Sequence, residues 1–294
     1  MAVSRQAVSR RRFIHKALAA AVASAATGLY TWRIEPHWLE FTHRPLPVRG
    51  LPSNLEGRTL ALLSDLHVGP QVDIEYLRDA FRRTKALNPD FVVFGGDFIT
   101  YRRGFFPISQ LQRLFREVPR GALGTVGILG NHDYGRGWSM SFIANQVADI
   151  VSSAGVTMLR NQVVTVAGLQ FAGMDDLWSG RFNSERTVGR IDPNLAAIAL
   201  AHNPDCADQT GWEGFEGWIL SGHTHGGQCK PPFLPPPMLP VINRRYTAGE
   251  FELRGRRRMY ISRGVGHLWR VRFNVRPEIT VFRLEAATSV GGLG

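Results

Sequence analysis

Five short polar clusters carry the residues of this sequence best suited to chemistry: Asp65-Leu66-His67, Gly96-Asp97, Gly130-Asn131-His132-Asp133, His202, and Gly222-His223-Thr224-His225. Singly, an Asp-x-His or a Gly-Asp pair is an ordinary turn. Gly222-His223-Thr224-His225 is sharper, because its two histidines could reach two different ions. Asp65 and Asp97 gathered with His67, His202, His223 and His225 would crowd like carboxylates in one cleft, and cations relieve that repulsion. An Asp can also bridge two ions. Two-metal sites hold their ions about 3.5–4 Å apart and clamp the attacking and leaving oxygens of phosphoryl transfer. The chemistry that this set points to is metal-assisted hydrolysis of a phosphate ester.

The elements that must position these residues are legible beside them. Short apolar runs end abruptly at each cluster: Thr59-Leu60-Ala61-Leu62-Leu63-Ser64, Phe91-Val92-Val93-Phe94, Val126-Gly127-Ile128-Leu129, Ala197-Ile198-Ala199-Leu200-Ala201 and Trp218-Ile219-Leu220-Ser221. Near-continuous apolar runs predict strands buried on both faces. Helical spacing over 73–88, stopped by Pro89, and over 108–117 and 141–153 predicts helices between them. Strands alternating with helices imply an α/β sheet, in which ligands gather beyond the carboxyl ends of the strands. The last third reads as β-rich, with short strands over 246–254, 257–263 and 279–284. Arg256-Arg257-Arg258 reads as a hairpin turn.

Taken together and in order, these motifs resemble the calcineurin-like metallophosphoesterase superfamily. Gly226-Gly227-Gln228, Ser262-Arg263-Gly264-Val265-Gly266 and Arg276-Pro277-Glu278-Ile279 resemble one branch of it. That branch holds exported or membrane-associated phosphodiesterases and pyrophosphatases acting on UDP-diacylglucosamine. The resemblance implies a four-layer α/β/β/α sandwich over residues 51–288. It also implies two divalent ions, one on Asp65, His67 and His225, the other on Asn131, His202 and His223, with Asp97 between them. A bridging hydroxide is the implied nucleophile. His132 is implied to protonate the leaving oxygen or steady the transition state, with Asp133 expected to orient its imidazole. Mixed N and O ligands suit Mn, Fe or Zn better than Ca.

Arginines could clamp the substrate phosphate, because a guanidinium matches it bidentately. Of Arg102, Arg103, Arg245 and Arg263, the last is the expected substrate-binding residue, since it lies in a motif of the branch. Asp175-Asp176 ends the run Leu169-Gln170-Phe171-Ala172-Gly173-Met174 and either faces the site or caps a turn. The Pro-stiffened stretch 230–240, with Phe105-Phe106 and Leu268-Trp269, is either a packed loop or a hydrophobic lip admitting a lipid-linked phosphate. The substrate is therefore expected to be a phosphorylated small molecule or a lipid-linked phosphate. The rival readings are a lipid-precursor pyrophosphatase and a non-catalytic metal-binding envelope protein. Retention of His132 speaks against the latter.

The chain has 294 residues, 44% of them hydrophobic, enough for a sizeable core. Its +11 charge is front-loaded: Arg5, Arg10, Arg11, Arg12 and Lys16 account for five of 35 basic residues, and without them 30 stand against 24 acidic ones. No basic stripe interleaved with aromatics follows, so nucleic acid is not the expected partner. Cys206 and Cys229 lie far apart without CxxC spacing, and read as two small partly buried side chains or, in an oxidising compartment, a disulfide. Ser9-Arg10-Arg11-Arg12-Phe13-Ile14, followed by an uncharged Ala-rich stretch over 17–32, matches a twin-arginine signal or anchor over residues 1–32. The expected partners thus include the twin-arginine export machinery and a membrane surface. The expected location is the periplasm, the cell wall or the outer face of a membrane.

Overall fold

The computed structural model describes residues 10–102 and 106–287. Residues 1–9 of the expected signal segment, with Arg5 and the Ser9 that opens the export pattern, Arg103, Phe105 and residue 288 lie outside these. The described chain begins with helix α1 (Arg10–Leu29), none of whose side chains is buried. It runs through a wider turn, Tyr30–Ile34, toward the body. No helix among the described residues is long and apolar enough to cross a membrane.

Two six-stranded sheets form the body. The first orders β1 (Glu40–Val48), β12 (Glu278–Ala286), β2 (Thr59–Leu63), β3 (Phe91–Phe94), β4 (Gly124–Ile128) and β5 (Thr157–Leu159). The second orders β10 (Gly249–Glu252), β11 (Arg257–Ile261), β9 (Gly217–Ser221), β8 (Ala196–Leu200), β7 (Leu169–Gly173) and β6 (Gln162–Val166). Strands β2, β3, β4 and β5 are parallel, as are β7, β8, β9 and β11. Both central groups therefore send their carboxyl ends one way within their sheet.

Alternation along the strands sorts the core into layers. Leu60, Leu62, Phe91, Val93 and Ile128 meet Phe171, Ile198, Leu200, Trp218 and Tyr260 between the sheets. Their neighbours Ala61, Leu63, Val92 and Phe94 face α2 (Ile74–Ala86), α3 (Ile108–Phe115) and α4 (Ser141–Ser153). The amphipathic spacing of Leu77, Ala80, Phe81 and Thr84 seats α2, and the Asp73 side chain caps its first turn by accepting from Glu75 N. The outer face of the second sheet is covered more thinly, by α5 (Ser184–Val188), the turn Pro204–Asp208 and the rings of Trp212, Phe215 and Tyr246. This is a mixed α/β fold with two sheets face to face at its centre, as the motif resemblance implies.

Two features depart from expectation. The sheet begins at Glu40, before residue 51, because β1 pairs with β12 along its whole length. Pro45 and Pro47 mask that strand in the sequence, and an edge position tolerates both. The hairpin turn takes in only the first residue of the arginine run, Arg256, whose φ is 57°, while Arg257 and Arg258 already pair with Gly217 and Trp218 in the sheet.

Candidate metal centre

All five clusters converge beyond the carboxyl ends of β2, β3, β4, β8 and β9. Backbone bonds stitch them together: Asp65 N donates to Gly96 O at 2.9 Å, His67 N to Asp97 O at 3.0 Å, and Gly222 N to His202 O at 3.0 Å. The flanking glycines permit this approach. A Cβ at Gly130 would lie 2.3 Å from Asp97 Oδ1, and one at Gly222 would lie 2.0 Å from Ser64 Oγ.

Two groups of buried side chains result, Asp65 with His67 and His225, and Asp97 with His202 and His223, the ligand-type atoms of each lying within 4.8 Å of one another. In the first, His225 Nε2 is 3.4 Å from Asp65 Oδ1 and 2.9 Å from His67 Nε2. In the second, His202 Nε2 is 3.1 Å from Asp97 Oδ2. The same Asp97 oxygen lies 3.7 Å from His67 Nε2, so it looks at both groups. Its partner Oδ1 is occupied by the backbone N–H of His132 at 2.8 Å. One oxygen, not two, is thus available for bridging. Asn131 completes the enclosure: it is fully buried, and neither atom of its amide has a partner.

Residues outside the five clusters orient these imidazoles, and nothing in their spacing announces them. His67 Nδ1 bonds Thr100 Oγ1 at 2.8 Å, and His202 Nδ1 donates to Gly95 O at 2.8 Å. His223 Nε2 donates to Pro240 O at 2.7 Å, which leaves its Nδ1 as the free ring nitrogen. Trp178 packs edge-on against His223 with ring centres 4.4 Å apart, and Trp138 lies against Trp178. The buried Arg272 guanidinium comes within 3.4 Å of His225 Nδ1 and also donates to the carbonyls of Arg263, Gly264 and Gly266.

An extended backbone would put His223 and His225 on one face, since residues two apart share it. Left-handed φ values of 70° and 51° send them instead to different groups. Asp65, His67 and Asp97 also have positive φ, at 57°, 49° and 54°.

Charge follows from burial. Burial holds His67 and His225 well below the usual imidazole range and takes His223 down to about 3. These rings are therefore neutral and able to donate a lone pair. Burial also acts on His202, but the Asp97 carboxylate beside it outweighs that and raises it to about 10. Burial pushes Asp65 up to about 6 and Asp176 up to about 7. A pocket that both neutralises imidazoles and penalises carboxylates is one that a divalent cation would satisfy.

Two expected roles, those of Asp133 and Arg263, meet a different arrangement. Asp133 does not orient the His132 ring: its two oxygens accept from Gly130 N at 2.9 Å and Ile99 N at 3.1 Å, tying the β3 and β4 loops together. The His132 ring, partly exposed, packs edge-on against His67 at 5.0 Å. Arg263 is spent within the fold, donating to Glu278 Oε2 at 2.6 Å and Glu40 Oε2 at 2.8 Å. Its guanidinium is thus not free to grip phosphate. Asp175 is held by Arg160 at 3.2 Å and by the Tyr134 hydroxyl, while Asp176 Oδ1 caps Ser179 N at 2.7 Å. Arg245 turns to Glu252 O at 3.2 Å. Cys206 and Cys229 are both free.

Residues 58–227 match the family described as calcineurin-like phosphoesterase. Phosphodiesterase YaeI of Escherichia coli (strain K12) is 32% identical over 283 residues, covering 94% of this chain and 99% of that protein. The metallophosphoesterase YkuE of Bacillus subtilis (strain 168), described as uncharacterized, is 32% identical over 293 residues, covering 95% and 98%. UDP-2,3-diacylglucosamine pyrophosphatase LpxG of Chlamydia muridarum is 25% identical over 316 aligned positions, covering 89% and 95%.

Proposed function

Since this chain belongs to the calcineurin-like phosphoesterase family and is a metallophosphoesterase, we propose that it hydrolyses a phosphate ester or pyrophosphate of the cell envelope at a two-metal centre. The observation that carries the reading is the convergence of two buried ligand groups on a shared Asp97 oxygen. Asp65, His67 and His225 would hold one ion, Asn131, His202 and His223 the other, with Asp97 between them. When bound, a divalent pair supplies Lewis acidity and a water made nucleophilic near neutral pH. The donors fit such ions: the neutral imidazoles of His67, His223 and His225, a His202 ring whose proton a cation would displace, carboxylate oxygens and an amide whose buried atoms lack partners. N and O donors of this kind favour Mn, Fe or Zn.

His132 stands at the open side with its backbone N–H anchored on Asp97 and no hydrogen bond to its ring among the described residues. Burial keeps its imidazole below the usual value. The ring can approach the departing oxygen, where developing negative charge would favour the protonated form that delivers the proton. The test is metal analysis of the purified protein followed by turnover of bis-p-nitrophenyl phosphate. Asp97→Asn should lose both bound metal and turnover, whereas His132→Ala should keep the metal and lose rate. Full activity in both variants would sink the reading.

A second reading, a lipid-linked pyrophosphate as substrate, is favoured by one observation. An apolar cavity of about 370 Å³ adjoins His225 and is lined by Pro237, Met238, Leu239, Pro240, Leu268 and Trp269. A relative named as a diacylglucosamine pyrophosphatase agrees with it. Turnover of a lipid pyrophosphate no faster than that of p-nitrophenyl esters would count against it.

The twin-arginine pattern supports export, so Arg10→Lys with Arg11→Lys should leave the protein in the cytoplasmic fraction.

A further inference from the structure

Six of the large apolar side chains that the fold leaves exposed lie on two neighbouring segments, 233–242 and 269–271. Phe233 is wholly exposed and Ile242 is 86% exposed, with Leu234, Met238, Trp269 and Val271 standing out beside them. These six come from two segments stitched together. Lys230 N donates to Phe273 O and Phe273 N to Gln228 O, each at 2.9 Å. Gln228 Nε2 donates to the carbonyls of Trp269 at 3.0 Å and Val271 at 2.9 Å. The root of α1 joins at the same place, where Arg272 N donates to Thr31 O at 2.9 Å, and Trp32 and Ile34 are exposed there. Contiguous exposed apolar surface of this kind marks an interaction site.

Charge narrows the partner. Residues 10–34, 229–249 and 264–277 contain no Asp or Glu, while Arg33, Lys230, Arg244 and Arg270 lie among the apolar side chains. The acids that approach from other elements are committed to the fold. Glu35 is buried and accepts from Val275 N at 2.6 Å; Asp205 accepts from Ile242 N at 2.7 Å, and Asp208 from Asn243 Nδ2 at 2.8 Å. A second copy of the chain would bring like charges face to face. An anionic bilayer offers both an apolar interior and a negative surface.

We infer that this surface docks on an anionic lipid bilayer, with Phe233, Ile242 and Trp269 dipping into the interface and Arg33, Lys230 and Arg270 meeting headgroups. The surface is distinct from the metal-binding residues and stands or falls independently of the hydrolase reading. Its geometry turns the mouth of the apolar cavity, which Met238 and Trp269 line, toward the lipid.

The test uses the full chain with vesicles of equal parts phosphatidylethanolamine and phosphatidylglycerol, against vesicles of phosphatidylcholine alone. Hydrogen exchange should slow at the amides of 233–234, 238–239, 241–243 and 269–271 on the anionic vesicles only. Phe233→Ser combined with Ile242→Asn should keep the melting temperature and weaken co-sedimentation about tenfold. Protection confined to α1, equal binding to both vesicle types, or sedimentation of the variant like wild type would overturn the inference. So would loop protection that appears without vesicles and rises with protein concentration, since that identifies a second copy as the occupant.

Discussion

Thr100 shows how much of the centre depends on residues that hold no ion themselves. Its hydroxyl fixes His67 Nδ1 and so aims Nε2 into the first group. Thr100→Val keeps the shape and removes that bond, so metal affinity at this group should fall 10- to 100-fold, measured by titration of the metal-free protein. Asp133 makes the opposite case. Both its oxygens are engaged by backbone amides, so Asp133→Asn should lower stability by about 1–3 kcal/mol in urea unfolding. The pH dependence of turnover should stay in place, because the His132 ring does not lean on that carboxylate. The aspartates and histidines were legible because each follows an apolar run. Thr100, Arg272, Trp178 and the Pro240 carbonyl were not, since they reach the imidazoles through tertiary contacts that no spacing encodes.

At the scale of elements, the central strands and α2 to α4 follow from apolar runs and helical spacing, because burial on two faces and on one face leave different periods. Strand β1 escaped because its pairing with β12 is a contact between the two ends of the domain, and prolines at an edge give no local signal. That pairing explains the arginine motif as well. Arg263 links Glu40 of β1 with Glu278 of β12, and Arg276 grips the other Glu40 oxygen at 2.6 Å. Glu278 is almost wholly buried. Arg263→Ala would leave that carboxylate without its cation, so it should cost about 3 kcal/mol of stability while KM for a soluble phosphodiester stays the same. A large rise in KM without loss of stability would restore the substrate-binding role.

The whole molecule carries a pH dependence separate from its chemistry. His267 is fully buried, and burial followed by the Arg272 charge takes its imidazole down to about 3. Its Nε2 donates to Gln71 O at 3.0 Å, and its Nδ1 has no partner. The folded value lies below the unfolded one near 6.5, so below that pH the unfolded chain takes up a proton that the folded chain refuses. The contribution is therefore complete above about pH 6.5 and is lost as the pH falls toward 3. Between pH 6.5 and 5 it amounts to about 2 kcal/mol. Urea unfolding at those two pH values should show a smaller drop for His267→Asn than for wild type.

The left-handed backbone at Asp65, His67, Asp97, His223 and His225 has a consequence for how ions arrive. Each such residue costs about 1–2 kcal/mol against an ordinary conformation, a cost that packing of the two sheets, or a cation once bound, must offset. If packing alone supplies the offset, ion uptake should leave circular dichroism unchanged; if the cation supplies it, uptake should change the spectrum and raise the melting temperature.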